Sequence, residues 1–281
     1  MYFVGVTTGA SAIHGLFPRW ARLAGVSEAS LAGIDIALEA PPEHYREAVA
    51  KTRDDPESGG ALVTTHKIGI FAHARDLFSE FDADAQSLGE VSCIVRRPGR
   101  LAGLAVDTLT AGLALRDLIG ERPFRGHVLI LGAGGAATAL AVHLYRAHQP
   151  AEVILTDISA ARLERVRRLT PARCELVADP EAHDHLLAAM PPGSLIVNAT
   201  GMGKDRPGSP ITPAARFPPS ALAWEFNYRG ELAFLESARA QGARAADGWS
   251  YFLHGWSQIM ARALGFELTP ELFAAFRAAA S

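Results

Sequence analysis

The sequence predicts an α/β protein of two domains with mostly parallel sheets, followed by a helical tail. Strand-like and helix-like runs alternate through the N-terminal part of the chain, which favours a sheet covered by helices. In the middle, a glycine-rich turn joins a buried apolar run to a helical pattern. The final stretch, residues 248–279, is helical in pattern with a break at Thr269-Pro270.

The N-terminal part, residues 1–110, is predicted to form the first α/β domain. Its predicted strands are 2–6, 33–37 and 60–64, and its predicted helices are 11–24 and 44–53. Two further strands, 92–96 and 101–106, are expected to pair across the turn signal Pro98-Gly99. A helix at 108–118 follows, and we place the domain joint near it.

Residues 111–247 are predicted to form the second domain. Residues 127–131 are a short apolar run, typical of a strand that is buried on both faces. The run 138–148 is helical, and a second buried strand at 152–156 ends at Asp157. The remaining predicted elements are a helix at 160–169, strands at 195–198 and 221–225, and a helix at 230–241.

The turn at residues 132–137, Gly-Ala-Gly-Gly-Ala-Ala, fits the pattern G-x-G-x-x-G/A. Gly132 permits a tight turn, Gly134 lets the backbone approach a pyrophosphate, and Ala137 lets the helix pack closely on the sheet. The N-terminus of that helix offers free N–H groups to phosphates. With a strand before it and an acidic residue at the end of the next strand, the turn predicts a Rossmann-type, doubly wound domain that binds a nicotinamide dinucleotide.

Asp157 is the acidic residue in that pattern, and it bears on which dinucleotide binds. A carboxylate here accepts hydrogen bonds from a ribose 2′-hydroxyl and repels a 2′-phosphate. NAD is therefore the preferred cofactor and NADP the alternative. Arg162 and Arg165 lie downstream and could still reach a phosphate.

The composition is that of an ordinary globular protein, with 281 residues, 49% hydrophobic and 20% charged. A net charge of −3 leaves no basic excess for a nucleic acid or an anionic membrane. No apolar run approaches the roughly 20 residues that span a bilayer, and a signal-peptide pattern is missing, so we expect a cytoplasmic protein. Cys93 and Cys174 lack metal-ligand spacing and are expected to be small buried hydrophobes.

Hydride transfer at an alcohol carbon also requires a proton to move at the oxygen. Two residues at predicted strand ends could handle that proton, namely Lys67 after residues 61–66 and Asp107 after residues 101–106. Taken alone, each is more often a solvated surface charge. His66 is a rival base, although its side chain should point away from that of Lys67 if the segment is extended.

Several motifs together resemble the shikimate/quinate dehydrogenase family over nearly the whole chain. Residues 5–14 resemble the family's G-x-P-x-x-H-S-x-S-P-x-x-H, and residues 61–67 lie where it has N-V-T-x-P-x-K. Residues 103–107 match G-x-N-T-D, and residues 198–203 are similar to the N-A-T-x-x-G loop beside the cofactor. The family's nicotinamide-side glycine and substrate-binding glutamine fall on Gly248 and Gln258.

The resemblance implies a substrate domain, a nucleotide domain, and C-terminal helices (248–281) that fold back on the first domain. It implies an NAD(P)-dependent dehydrogenase of a shikimate- or quinate-like cyclic hydroxy acid, with Lys67 and Asp107 as its catalytic pair. The polar candidates for substrate contacts are Thr8, Thr64, Ser92, Tyr228 and Gln258. The implied cofactor contacts are Gly132, Gly134, Gly135, Ala136, Asp157, Asn198, Thr200, Gly201, Met202 and Gly248.

The departures from the family pattern concern substrate contacts. Of the two serines that hold the substrate carboxylate in the family, one aligns with Thr8 and the other with Ala10. Asparagines that bind ring hydroxyls align with Ala61, Ser92 and Ala105. Each polar group left unmatched costs about 1–3 kcal/mol. We therefore expect a substrate less hydroxylated than shikimate, or one presented differently.

Two other function classes stay open at this point. A non-catalytic sensor on the same fold would keep the cofactor site, but nothing in its chemistry would demand both Lys67 and Asp107. A two-domain dehydrogenase acting on folate carbon units would also place a lysine in the first domain. The combination of Lys67 and Asp107 with Gln258 is less typical of that class. In every case the expected ligand is a small molecule, and the chain is expected to be a monomer or a homodimer.

Overall fold

A computed structural model describes residues 1–204 and 207–280 of the chain. The contacts between residues divide the chain into two compact units. The first unit contains Met1–Asp107 together with the residues from Leu253 onward, and the second contains Thr108–Phe252. Within the described residues, no helix is both long enough and apolar enough to cross a membrane.

The first unit is built on a six-stranded sheet in the order β2-β1-β3-β5-β6-β4, counted over the described residues. Its strands are Tyr2–Gly5 (β1), Ala32–Asp35 (β2), Gly60–Val63 (β3), Glu80–Phe81 (β4), Cys93–Arg97 (β5) and Arg100–Leu104 (β6). Its helices in the N-terminal part of the chain are Ile13–Leu23 (α1), Pro42–Asp54 (α2), Lys67–Ala74 (α3) and Ala83–Leu88 (α4).

Strand direction decides which residues of this sheet can meet. β1 pairs in parallel with both β2 and β3. β5 is antiparallel to β3 and to β6, and it joins β6 through a hairpin at Pro98-Gly99, where Gly99 takes a φ of 71°. The carboxyl ends of β1, β2, β3 and β6 and the amino end of β5 therefore lie at one edge, which we call the carboxyl edge.

The two C-terminal helices are Trp249–Leu264 (α10) and Pro270–Ala279 (α11). The predicted break is present, because Thr269 caps α11 by accepting a hydrogen bond from Leu272 N, with Pro270 as the first helical residue. α11 packs against α1 through Trp20, whose ring stacks on Phe276 at 4.6 Å and whose Nε1 donates to the Phe276 carbonyl at 3.0 Å. As the fold class predicts, the tail returns to the first unit.

The second unit contains a six-stranded sheet in the order β12-β11-β10-β7-β8-β9 over the described residues, and all its pairings are parallel. Its strands are His127–Leu131 (β7), Glu152–Asp157 (β8), Arg173–Leu176 (β9), Leu195–Asn198 (β10), Leu222–Glu225 (β11) and Arg244–Ala246 (β12). Its helices are Asp107–Ile119 (α5), Gly135–Ala147 (α6), Ala160–Leu169 (α7), Pro180–Ala188 (α8) and Ala233–Ala240 (α9).

The central strands of this sheet are apolar because helices cover both of their faces. Leu129 and Leu131 belong to one buried cluster, and Val128 and Ile130 belong to another. The strand order reverses at β7, which has β8 on one side and β10 on the other. In such sheets ligands bind at the carboxyl ends of the strands beside this switch point.

The structure also corrects some expectations. β4, β9, β12, α3, α4 and α8 were not predicted, and the strands among them have only two to four residues, too few for a periodic pattern. Cys93 is buried as expected, and burial raises the pKa of its thiol to about 12. Cys174 is only half-buried, so the expectation was wrong for that residue.

Candidate functional sites of the two units

Lys67 and Asp107 meet at the carboxyl edge of the first sheet. Lys67 begins α3 after the loop that follows β3, and Asp107 begins α5 after β6. The Lys67 ammonium donates a hydrogen bond to Asp107 Oδ2. Their side chains are only 14% and 6% exposed, so this ion pair is sheltered from water. A sheltered lysine–aspartate pair can hold a substrate hydroxyl and exchange its proton.

His66 does not belong to an extended segment, so the condition under which its side chain should point away from that of Lys67 is not met. Thr65 takes a left-handed φ of 52°, and His66 is the residue that precedes helix α3. The His66 ring is buried, and its Nε2 lies 2.8 Å from the Ile36 carbonyl oxygen. Burial lowers the pKa of His66, so the ring is neutral and donates to that carbonyl. The His66 ring is therefore held by a hydrogen bond to the backbone.

A buried carboxylate that sequence reasoning missed, Glu90, also acts on Lys67. Glu90 has no exposed surface, and its neighbour Val91 donates a backbone hydrogen bond to the Lys67 carbonyl at 3.0 Å. Burial by itself lowers the pKa of Lys67, but the negative charges of Asp107 and Glu90 outweigh it and raise that pKa above its ordinary value. Lys67 is therefore held in its protonated form.

Thr8 and Thr64 lie together at the same edge. They flank Gly5, where a Cβ atom would stand 2.8 Å from Thr64 Oγ1 and 3.2 Å from a Thr8 methyl carbon. Thr8 is buried, and both its backbone N–H and its hydroxyl donate to Asp35 Oδ1, at 2.8 and 2.6 Å. Thr64 Oγ1 donates to the Val4 carbonyl at 3.3 Å.

Two other predicted substrate contacts of the first unit have protein partners. Ser92 has no exposed surface, and its Oγ accepts a hydrogen bond from Val106 N at 2.9 Å. Ser92 thereby holds the backbone directly before Asp107. Gln258, on α10, is half-buried, and its Oε1 accepts from the Arg262 guanidinium at 2.6 Å.

In the second unit, the glycine turn connects β7 to α6 at the switch point. Gly132 takes a φ of 102°, and a Cβ atom there would stand 2.7 Å from the Ala199 carbonyl oxygen, so the site requires glycine. Gly134 precedes the first helical residue, Gly135, without a side-chain cap, and nothing lies within 4 Å of where its Cβ would be. Ala137 is buried against the sheet, as predicted.

Asp157 ends β8 beside this turn and is 8% exposed. Its carboxylate accepts hydrogen bonds from Ala133 N at 2.8 Å and from Ser159 N at 2.9 Å. Arg162 Nη1 is 3.7 Å from Asp157 Oδ2, whereas Arg165 reaches Thr138. The acidic residue thus contacts the turn directly.

The loop after β10 contributes the next group of predicted cofactor residues. Asn198 is buried, and its amide donates to Glu225 Oε2 at 2.5 Å. Asn198 Oδ1 accepts from Thr200 N and from Thr200 Oγ1, which in turn accepts from Met202 N. Gly201 takes a φ of 76°, which lets the loop turn. Asn198 therefore orders the loop from within.

Gly248 and Tyr228 lie elsewhere in the second unit. A Cβ atom at Gly248 would overlap the Phe226 carbonyl, so only glycine fits there. Tyr228 is half-buried and packs against Phe252 and Trp249, with ring centroids 4.5 and 5.5 Å apart. The aromatic residues that begin α10 thus surround the Tyr228 ring.

The residues of the glycine turn fit a dinucleotide. An α-helix of 13 residues starts at a glycine with no side-chain cap, and open space lies in front of Gly134. Its first N–H groups and its dipole suit a pyrophosphate. Asp157, at the end of the neighbouring strand, suits a ribose hydroxyl.

Sequence comparison finds curated shikimate dehydrogenases among the relatives of this chain. The chain is 31% identical over 232 residues to the shikimate dehydrogenase (NADP(+)) of Symbiobacterium thermophilum, covering 78% of this chain and 74% of the relative. It is 32% identical over 222 residues to the enzyme of the same name from Methylobacterium radiotolerans, covering 77% and 76%. The chain belongs to the shikimate/quinate dehydrogenase family. No model of a protein family matches the sequence.

Solved structures of shikimate dehydrogenases share the fold. The enzyme from Aquifex aeolicus superposes with a TM-score of 0.78 at 21% identity, covering 98% of this chain and 96% of that one. The enzyme from Thermus thermophilus, in complex with NADP(H) and shikimate, gives 0.71 at 25% identity, covering 99% and 98%. The protein is thus an NAD(P)-dependent dehydrogenase of the shikimate/quinate dehydrogenase family, with the predicted fold class.

The residues that depart from the family pattern occupy different environments in this dehydrogenase. Ala61 and Ala105 are buried, with 0% and 3% of their surface exposed. Ala10 is exposed at the end of the turn Thr8–Ala10. Sequence reasoning also missed Asp35, the acceptor for Thr8. Asp35 lay in the middle of the predicted strand 33–37, whereas it is the last residue of β2 in the structure.

Glu225 gives this dehydrogenase a pH-dependent stability. Burial raises the pKa of Glu225 to about 7, against the lowering effect of hydrogen bonds from Asn227 and Asn198. The folded state keeps this proton up to about pH 7, whereas the unfolded state releases it near pH 4.5. The free energy of unfolding therefore decreases by on the order of 3 kcal/mol as the pH rises from 4.5 to 7.

Glu225→Gln should remove this pH dependence. Urea unfolding midpoints measured from pH 5 to pH 8 should fall more steeply in the wild type than in the variant. The exposed Glu57→Gln should follow the wild type. Parallel curves for wild type and Glu225→Gln would show that Glu225 does not titrate in this range.

Proposed function

We propose that the chain transfers a hydride between a nicotinamide cofactor and a ring hydroxyl or ketone of a cyclic hydroxy compound related to shikimate or quinate. The observation that carries the proposal is the sheltered Lys67–Asp107 pair at the carboxyl edge. The names of the relatives, and the shikimate bound to the Thermus enzyme, support the substrate class of cyclic hydroxy acids. The changes at Ala10, Ala61 and Ala105 predict weaker binding of shikimate itself.

Lys67 handles the proton in this proposal. During ketone reduction its ammonium donates a hydrogen bond to the ketone oxygen and releases a proton to it as the alcohol forms. During alcohol oxidation neutral Lys67 accepts the hydroxyl proton. Asp107 orients the ammonium through its hydrogen bond, and the charge of Glu90 favours the protonated form. In this proposal the hydroxyl groups of Thr8 and Thr64 contact the substrate.

The nicotinamide dinucleotide supplies the hydride acceptor or donor when it is bound. The N-terminus of α6 from Gly134 onward would hold its pyrophosphate, and Asp157 would accept from its adenosine ribose. We propose NAD as the preferred cofactor, although the relatives are named for NADP(+). The buried negative charge of Asp157 and the 67% exposed, apolar side chain of Ile158 beside it both disfavour a 2′-phosphate.

A non-catalytic sensor is the second candidate. Such a protein would need the cofactor turn but not a lysine that is paired with Asp107 and whose pKa is raised further by the charge of Glu90. No contact described for the site favours the sensor over the enzyme. Turnover in the next experiment decides between the two.

Lys67→Ala should lower turnover about 10²–10⁴-fold, because it removes the group that exchanges the proton. Cofactor reduction is followed at the nicotinamide absorbance over a panel of cyclic hydroxy acids. Cofactor affinity, measured by fluorescence titration, should change much less than turnover. The exposed Lys51→Ala serves as the matched control and should keep wild-type turnover. Near-normal turnover in Lys67→Ala would remove Lys67 from the mechanism.

Glu90→Gln should change the pH profile of alcohol oxidation. The charge of Glu90 raises the pKa of Lys67, so neutralising it lets Lys67 lose its proton at lower pH. The acidic limb of kcat/KM should therefore move to lower pH. Glu57→Gln, an exposed glutamate of the same unit, should leave the limb in place. An unshifted limb in Glu90→Gln would mean that Glu90 does not act on the catalytic proton.

The wild type should bind NADH more tightly than NADPH in paired fluorescence titrations. The 2′-phosphate of NADPH would meet the Asp157 carboxylate, which repels it. Arg168 is an exposed arginine on the same helix as Arg162. Arg162→Gln should weaken the binding of NADH and of NADPH no more than Arg168→Gln does. Tighter binding of NADPH than of NADH by the wild type would overturn the NAD preference.

A further inference from the structure

Asp35 places an ionised carboxylate beside Thr8 at the carboxyl edge. Its Oδ1 accepts from the hydroxyl and the backbone N–H of Thr8, and these hydrogen bonds hold the pKa of Asp35 below its ordinary value. The Asp35 side chain is exposed, although Thr8 is buried. The pair therefore presents a negative charge to solvent.

The local backbone is built for this contact. β1 and β2 pair in register so that Gly5 lies opposite Asp35. Gly33, two residues earlier in β2, has no Cβ, and a Cβ there would overlap Thr8 Oγ1. Thr8 can approach β2 only because Gly33 is glycine. Asp35 and Thr8 thus form a fixed pair with a defined geometry.

The side chains of Asp35 and Thr8 can only accept further hydrogen bonds. The Thr8 hydroxyl proton is already donated to Asp35, so only lone pairs of Thr8 Oγ1 and of the Asp35 carboxylate remain. Ala10 offers no hydroxyl of its own. The His14 ring contacts the backbone of this turn, with its Nε2 3.1 Å from the Thr8 carbonyl oxygen. A carboxylate placed here would meet acceptors and a like charge.

The strand ends that lead to Asp35 and Lys67 are about as far apart as the span of a single substituted ring. β2, β1 and β3 are adjacent in the sheet, so the ends of β2 and β3 are two strand spacings apart, about 10 Å. Lys67 follows β3 and Asp35 ends β2, with Thr8 and Thr64 between them. A six-membered ring with substituents on opposite carbons spans such a distance.

We propose that Asp35 and Thr8 form an acceptor subsite that selects a ring substrate with an ammonium or another hydrogen-bond donor opposite the reacting hydroxyl. The subsite excludes a carboxylate from that position. The inference rests on the proposed function, because it takes the reacting hydroxyl to lie at Lys67. Among the cyclic hydroxy compounds of the proposed function, it selects those that carry a donor group instead of a carboxylate at this end.

Three ring compounds that differ in one substituent test the subsite. They are shikimate, its carboxamide, and the aminomethyl analogue in which a CH₂NH₂ group replaces the carboxylate. Dissociation constants are measured by calorimetry on the full chain, so that the result does not depend on turnover. The wild type should bind the aminomethyl compound at least about tenfold more tightly than shikimate, with the carboxamide between them.

Asp35→Asn is the test variant, because asparagine keeps an oxygen that can accept from Thr8. It should bring shikimate and the aminomethyl compound to within about threefold of each other. Asp55→Asn is the matched control. It neutralises a carboxylate that accepts from the Tyr2 hydroxyl at 2.8 Å, at the other end of β1, and should keep the wild-type ratio. Thermal unfolding of both variants checks that they are folded.

The outcomes separate the two proposals. Tighter binding of shikimate by the wild type, or a ratio unchanged in Asp35→Asn, overturns the subsite and leaves the proposed function standing. If none of the three compounds binds while NADH binds normally, both the subsite and the proposed function fail. A preference for the aminomethyl compound that disappears in Asp35→Asn alone establishes the subsite.

Discussion

Parallel strands present their carboxyl ends at a common edge, and this constraint organises each of the two units. In the first unit it brings the ends of β1, β2, β3 and β6 together, although their residues are far apart in the chain. In the second unit it brings the glycine turn after β7 beside Asp157 after β8. The functional groups therefore follow strand ends, while the strands themselves are filled by apolar side chains.

Burial gives these groups their chemical character. A charge removed from water must be paired, and Lys67 is paired with Asp107 and influenced by Glu90. Burial raises the pKa of the Glu225 carboxyl, and the hydrogen bonds that it accepts from the Asn198 amide and from Asn227 N oppose this effect only in part. Two buried sites in one chain thus favour protonation for different reasons. One favours it through nearby charge and the other through desolvation.

The sequence predicted features that depend on local pattern. The limits of β7 and α7 agree with prediction because apolar periodicity and turn residues define them. α6 begins at Gly135, before the predicted start, since the glycine and alanine run gives no amphipathic signal. The Lys67–Asp107 contact was predicted from strand ends and a family resemblance. α3 was not predicted, and the left-handed conformation of Thr65 just before it is not evident from the residue type.

Features that depend on pairing between distant segments could not be predicted. Asp35 was placed in a strand, but its contact with Thr8 depends on the register between β1 and β2. Glu90 lies outside every predicted element, and its burial depends on how the segment before β5 packs in the folded chain. Ser92 was assigned to substrate by resemblance, whereas its hydroxyl bonds to Val106 N. Local sequence patterns do not reveal contacts between residues that are far apart in the chain.

The two backbone hydrogen bonds of Asp157 have a consequence for how this enzyme could diverge. The same carboxylate that would sense the ribose also anchors the turn that would hold the pyrophosphate. A substitution that changes cofactor choice at this position therefore also loosens the turn. Evolution towards a different dinucleotide would have to restore that anchor first, or begin from a neighbouring position such as Ile158, whose side chain is largely exposed.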